Sequence, residues 1–208
     1  MEDLALSAIE LGVASRPLPG QPTSGDLQVV KSFPGGVLIA VLDGVGHGSE
    51  AAAAAVIAGS ILEKHAADPV IALFQRCHEA LRSARGVTMS VASLSLAQGL
   101  LTWLGVGNVE GVLLRQNGTS LAPGDSLLLR AGVVGLHLPS LEVEVVPISR
   151  GDTLIFATDG IQSNFVRGLG ENRTPQRTAE TIMSQYGRSS DDAMVLVARF
   201  LLDHHENK

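Results

Sequence analysis

At 208 residues, with 45% apolar and 17% charged positions, the chain has the length for one domain with a sizeable core and is too apolar to stay unfolded. Its net charge of −6, with 15 Lys and Arg scattered along the chain, argues against the basic face of a nucleic-acid binder. The single cysteine, Cys77, excludes an internal disulfide, no apolar run reaches the ~20 residues of a membrane span, and Met1-Glu2-Asp3 opens no signal peptide, so a cytoplasmic protein is expected.

Residues 6–14 place Ile9, Leu11 and Val13 on one face and predict a strand. The Pro/Gly-rich stretch 16–26 predicts a loop ending at Asp26. Strands are expected over 27–33 and 36–42, joined at Pro34-Gly35-Gly36. The second is apolar throughout, which predicts burial on both faces, and it runs into Asp43-Gly44-Val45-Gly46-His47-Gly48. Two helices follow. The first, 49–66, has Ser49 as its expected N-cap and Glu50 in its first turn. The second, 69–84, has Pro69 near its start and Ile71, Phe74, His78 and Leu81 at helical spacing.

From Val87 the pattern becomes strands over 87–97, 100–107 and 109–118, with turns at Gln98-Gly99 and Asn117-Gly118. Weaker strands are expected over 126–130 and 141–147. Arg150-Gly151-Asp152 turns into a second fully apolar strand, 153–158, which ends at Asp159-Gly160. A third helix is predicted over 175–186, and Ser190-Asp191-Asp192 leads into a buried closing strand. This order does not alternate strand and helix. It predicts a single α+β domain over 1–208, with antiparallel sheets packed together and helices outside.

Asp43, Asp159 and Asp191 each stand at the end of a strongly apolar strand, and Asp26 opens one. A buried ionised carboxylate is costly unless it is paired or bound to a metal. Any one Asp-Gly is ordinary turn chemistry. A tight hairpin, however, leads straight into another strand, whereas Asp43 leads to a glycine loop and helix and Asp159 to a non-alternating stretch. Oxygen ligands without His/Cys spacing favour Mg²⁺ or Mn²⁺. His47, His65, His78 and His137 form no zinc pattern, and His204-His205 belong to a solvated tail. There is no GxSxG elbow and no phosphate-binding GxxxxGK[ST] loop. The glycines of 44–48 resemble a dinucleotide turn, but the third comes one residue early and Glu63 falls inside a helix.

Taken together, Asp43-Gly44-Val45-Gly46-His47-Gly48, Gly151-Asp152-Thr153-Leu154 with Thr158-Asp159-Gly160, and Asp191-Asp192 before the last strand resemble the metal-dependent protein phosphatases of the 2C type. The order holds from Ser24-Gly25-Asp26 to the closing strand, and DGxGxG in place of DGHGG is similar to the bacterial SpoIIE/RsbU branch. The resemblance implies a four-layer α-β-β-α sandwich of two mostly antiparallel sheets, with two divalent cations, Mn²⁺ or Mg²⁺, at one end. It implies hydrolysis of protein phosphoserine or phosphothreonine by a metal-activated water, without a phosphoenzyme. By this resemblance Asp43 would bridge the metals, the Gly44 carbonyl would bind one, Asp159 and Asp191 would bind the second, Asp26 would hold water, and Asp192 would support.

The chain is similar to the stand-alone members of the branch, without sensor or membrane extension. That similarity implies phosphorylated STAS-domain proteins of the stressosome as substrates, and a monomer. Three positions depart from the family: Gln21 near the register of a phosphate-gripping arginine, Met194 for a threonine, and Val45 for a histidine. His47 is then a candidate proton donor or a loop residue. The alternative is an inactive phosphatase fold used as a binding module, whose mark would be lost metal aspartates; all are present.

Overall fold

The two apolar runs become inner strands, for the reason their composition suggests: both of their faces are covered. The computed structural model describes residues 6–116, 125–166, 169 and 173–201. Its strands are β1 (Ile9–Arg16), β2 (Asp26–Phe33), β3 (Gly36–Gly44), β4 (Val87–Ser95), β5 (Leu100–Val106), β6 (Glu110–Leu114), β7 (Leu129–Arg130), β8 (Glu144–Pro147), β9 (Thr153–Ala157) and β10 (Ala193–Phe200). Its helices are α1 (Ser49–Lys64), α2 (Val70–Ala80) and α3 (Pro175–Tyr186). The turn expected at Asn117-Gly118 and the tail at His204-His205 lie outside the described residues.

One sheet has the order β1-β10-β9-β6; the other has β2-β3-β4-β5-β7, with β8 on β5. All pairings are antiparallel except β5 with β7. Alternation along β3 sends Val37, Ile39 and Val41 between the sheets, where they meet Trp103, Phe156, Leu196 and Phe200. Leu38, Ala40 and Leu42 point the other way, against Ala54, Ala58 and Leu62 of α1 and Phe74 of α2. On the far side, Ile155, Val195 and Val197 pack beneath Ala179 and Ile182 of α3. The layers are therefore helix, sheet, sheet, helix, as the resemblance implied. None of the described helices is long and apolar enough to cross a membrane.

One local expectation gives way to the structure. Ser49 is the first helical residue and caps nothing; the cap position falls to Gly48, whose φ of 76° lets the chain leave the glycine loop directly into α1. Leu11 shares the inward face of β1 with Ile9 but is 40% exposed, because β1 is an edge strand with a single strand neighbour. The opposite face of β1 lies directly under α3: a Cβ at Gly12 would lie 2.2 Å from the backbone N of Gln176. The Gln176 amide also pairs with the Val13 N–H and C=O, at 3.0 and 3.1 Å.

Candidate metal centre

The β2–β3 hairpin sets Asp26 directly opposite Asp43. In the other sheet, Ala157 of β9 lies opposite Val195 of β10, so Thr158-Asp159 leave one strand where Asp191-Asp192 enter the next. The approach is close enough to require glycine, since a Cβ at Gly160 would fall 1.9 Å from the Asp192 carbonyl oxygen. Thr158 ties the two sheets together. Its hydroxyl accepts from the Met194 N–H at 2.9 Å and donates to Asp26 Oδ2 at 2.9 Å. With the backbone N–H occupying its oxygen, the hydroxyl proton is directed at the carboxylate.

Asp192 differs from its neighbours. It is buried and accepts from the Leu18 N–H at 2.6 Å and the Gly25 N–H at 2.8 Å. It clamps the loop that delivers Asp26, while the Gly44 N–H donates to the Gly25 carbonyl from the other strand at 3.1 Å. Sequence reasoning missed Asn108 and Thr88. Asn108 Nδ2 donates to Asp159 Oδ2 at 2.6 Å, and the Thr88 hydroxyl donates to Asn108 Oδ1. The only available signal was position, since the end of β5 and the start of β4 lie at the same end of their sheet as Asp43.

The electrostatics single out the same group. Burial, opposed by the Thr158 bond and aided by Asp192, Asp159 and Asp191, pushes the Asp26 carboxyl up to about 7. Burial and then the neighbouring Asp26, Asp159 and Asp191 push Asp43 up to about 8. Asp159 is raised by burial and by Asp191, against the Arg188 guanidinium and the Asn108 bond. No cationic side chain among the described residues offsets Asp26 or Asp43. These carboxylates share an end of the molecule and feel one another's charge. Among the described residues, no three acidic, His or Cys side chains are already closed to metal-ligand spacing. The carboxylates thus converge on one end without being closed to ligand spacing. Their donors are all oxygen, which fits hard divalent cations and does not fit zinc.

Around the rim, His47 is exposed on the glycine loop. The side-chain oxygen of Gln21 would lie 3.1 Å from a Cβ at Gly48. Gln21 thus sits against the glycine loop and brings it an uncharged amide.

The family known as Stage II sporulation protein E (SpoIIE) matches residues 34–201, and the chain belongs to it: it is a metal-dependent protein phosphatase of the 2C fold, acting on phosphorylated serine or threonine. Among its relatives is phosphoserine phosphatase RsbX of Bacillus subtilis (strain 168), 27% identical over 178 residues that span 86% of this chain and 87% of that protein. A chain from a structure of the bacterial stressosome, a modular system adapted to control secondary messenger signaling, superposes with a TM-score of 0.82 at 31% identity, over 92% of this chain and 99% of that one. RsbX in complex with magnesium shares the fold, with a TM-score of 0.81 at 23% identity over 92% and 95% of the two chains. The inactive-module alternative is not favoured.

Proposed function

We propose that this phosphatase removes phosphate from serine or threonine of a STAS-domain regulator of a stressosome, acting as a cytoplasmic monomer built of one domain over 1–208. The observation that carries the catalytic part is the pair formed by buried Asp26 and half-buried Asp43, which no cationic side chain of the described residues compensates. Folding gathers such charges at a cost, which a bound cation offsets. Asp43, the Gly44 carbonyl, Asp159 and Asp191 are the residues that would hold the ions, and Asn108 would keep Asp159 turned toward them. Bound there, two divalent cations, Mg²⁺ or Mn²⁺, would supply Lewis acidity and lower the pKa of a water for in-line attack. Asp26, aimed by Thr158, would orient that water and accept its proton. The substrate assignment is supported by the relatives: one is a phosphoserine phosphatase and another belongs to a stressosome.

The test is phosphate release from p-nitrophenyl phosphate and from a phosphorylated STAS-domain protein, with Mn²⁺, with Mg²⁺ and with chelator. Turnover should require metal and prefer the STAS phosphoprotein over an unrelated phosphopeptide. Metal-independent turnover would overturn the site, and equal rates on both phosphorylated substrates would overturn the substrate assignment.

A further inference from the structure

The chain as a whole carries −6, so attraction of a phosphorylated substrate has to come from bound ions and from individual cationic side chains near them. Gln21 supplies no charge. Three arginines lie close enough to consider. Arg85 runs along the glycine loop, its Nη1 2.7 Å from where a Cβ of Gly46 would be, but it is ion-paired with Glu50. Arg16 donates through Nη2 to the backbone carbonyl of Arg188. Arg188 itself has an exposed side chain for which the described residues offer no hydrogen bond or ion pair.

The backbone of Arg188 is held firmly. Its N–H donates to the Gly160 carbonyl at 2.7 Å, the preceding Gly187 bridges Ile161, and Arg16 takes its carbonyl. This fixes its Cα next to the Asp159-Gly160 turn and shortly before Asp191. From a Cα hydrogen-bonded beside that turn, a side chain as long as arginine's spans the distance to the edge of the site that Asp159 would help to form.

We propose that Arg188 is the phosphate-gripping residue of this enzyme, its guanidinium taking two non-bridging oxygens of the phosphoseryl group at the edge of the metal centre. The guanidinium suits the task because it is planar, permanently charged and matched to two phosphate oxygens at once, which an ammonium is not. A fixed backbone and an uncommitted head combine accurate placement with freedom to bind. The proposal rests on the aspartate cluster being the metal centre.

The experiment uses the full chain at saturating Mn²⁺, comparing the parent with Arg188→Ala, Arg188→Lys and Asp43→Asn. It reads kcat and KM on a phosphoserine peptide, the competitive Ki of inorganic phosphate, and the Mn²⁺ activation midpoint. Arg188→Ala should raise KM and the phosphate Ki by roughly 10-fold or more, the size expected for a lost charge-assisted pair, with a smaller change in kcat. Arg188→Lys should recover only part of the loss. A Ki and KM within about 2-fold of the parent would overturn the proposal. So would a shift of the Mn²⁺ midpoint alone, since Arg188 would then be only a counter-charge to Asp159. A parent without metal-dependent turnover, or an Asp43→Asn variant as active as the parent, would instead sink the metal-centre reading beneath it.

Discussion

Strand β9 carries an aspartate just beyond each end, and the two have opposite surroundings. Before its first residue is Asp152, 3% exposed, which accepts from Arg115 Nη1 at 2.9 Å and from the Gln116 and Ser149 N–H groups, both at 3.0 Å. Arg115 also donates through Nε to Asp125 at 2.8 Å and through Nη1 to the Pro147 carbonyl at 2.7 Å. Burial alone would lower the Arg115 pKa, but the bonds to Asp152 and Asp125 outweigh it and raise it. Past the other end of the strand is Asp159, among Asp26, Asp43 and Asp191, where the carboxylates raise one another. Burial of an aspartate is thus no sign of function by itself. What separates the two ends is whether the fold supplies the opposing charge. At the Arg115 end it does, and the result is a brace between β6 and β9. At the other end Arg188 is felt at Asp159, but Asp26 and Asp43 have no cation among the described residues, and their charge is left for a ligand.

Substitutions at the two ends should therefore fail in different ways. The largest effect is expected from Asp43→Asn or Asp159→Asn, each lowering kcat by on the order of 10³-fold or more, because the ions are held by these groups. Their thermal unfolding in chelator should be unharmed. At the braced end, Arg115→Ala leaves Asp125 and Asp152 buried without their cation and should cost about 2–4 kcal/mol, lowering Tm by roughly 5–15 °C. Its turnover per folded molecule at low temperature should stay within about 3-fold of the parent. Calorimetry beside phosphate-release assays decides it: an Arg115→Ala protein with parental Tm and no turnover would erase the distinction between the ends.

A smaller effect sharpens the comparison through pH. Asp26 and Asp43 have folded values of about 7 and about 8, well above the ~3.9 of an unfolded aspartate. Between those limits the folded state binds protons that the unfolded chain has released. Their contribution to stability is therefore complete below pH ~4 and lost as pH rises through 7 and 8. In chelator, Tm should fall by about 5 °C between pH 5.5 and 8.5, Asp43→Asn should flatten the fall, and added Mn²⁺ should reverse it. A flat profile in the chelated parent would mean that the open end is compensated after all.

Much of this was legible in the chain. The runs at 36–42 and 153–157 read as buried strands because each side of them meets a packed layer, and the aspartates at their ends were conspicuous against that apolar background. The site's supporting contacts were hidden because they depend on how two sheets meet: Thr158 reaches Asp26 across 132 positions, and Asn108 reaches Asp159 across 51. No periodicity encodes such a meeting. The sequence marked Asp159 as a site residue and left Asp152 in a turn, but it showed nothing of what Asp152 binds. Only the presence of Arg115, carried in from the end of β6, gives one of them a structural duty. Arg188 was illegible for the same reason: a whole helix separates it from Gly160 along the chain, yet the two are hydrogen-bonded in space.

The smallest expected effect tests whether the open end is tuned as well as open. Thr158→Val keeps the shape of the side chain but removes the donor to Asp26 and leaves the Met194 N–H without its acceptor. The buried N–H should cost about 1–2 kcal/mol of stability. Since the hydroxyl bond lowers the Asp26 pKa against the effect of burial, its loss should move the acidic limb of the pH–rate profile upward. Turnover at pH 7 should fall by about 5-fold, and Thr158→Ser, which keeps the hydroxyl, should restore both the rate and the limb. A merely structural threonine would show the stability loss without the pH shift. If valine and serine share one pH profile, Asp26 owes its titration to burial alone, and the bond joining the sheets is packing rather than chemistry.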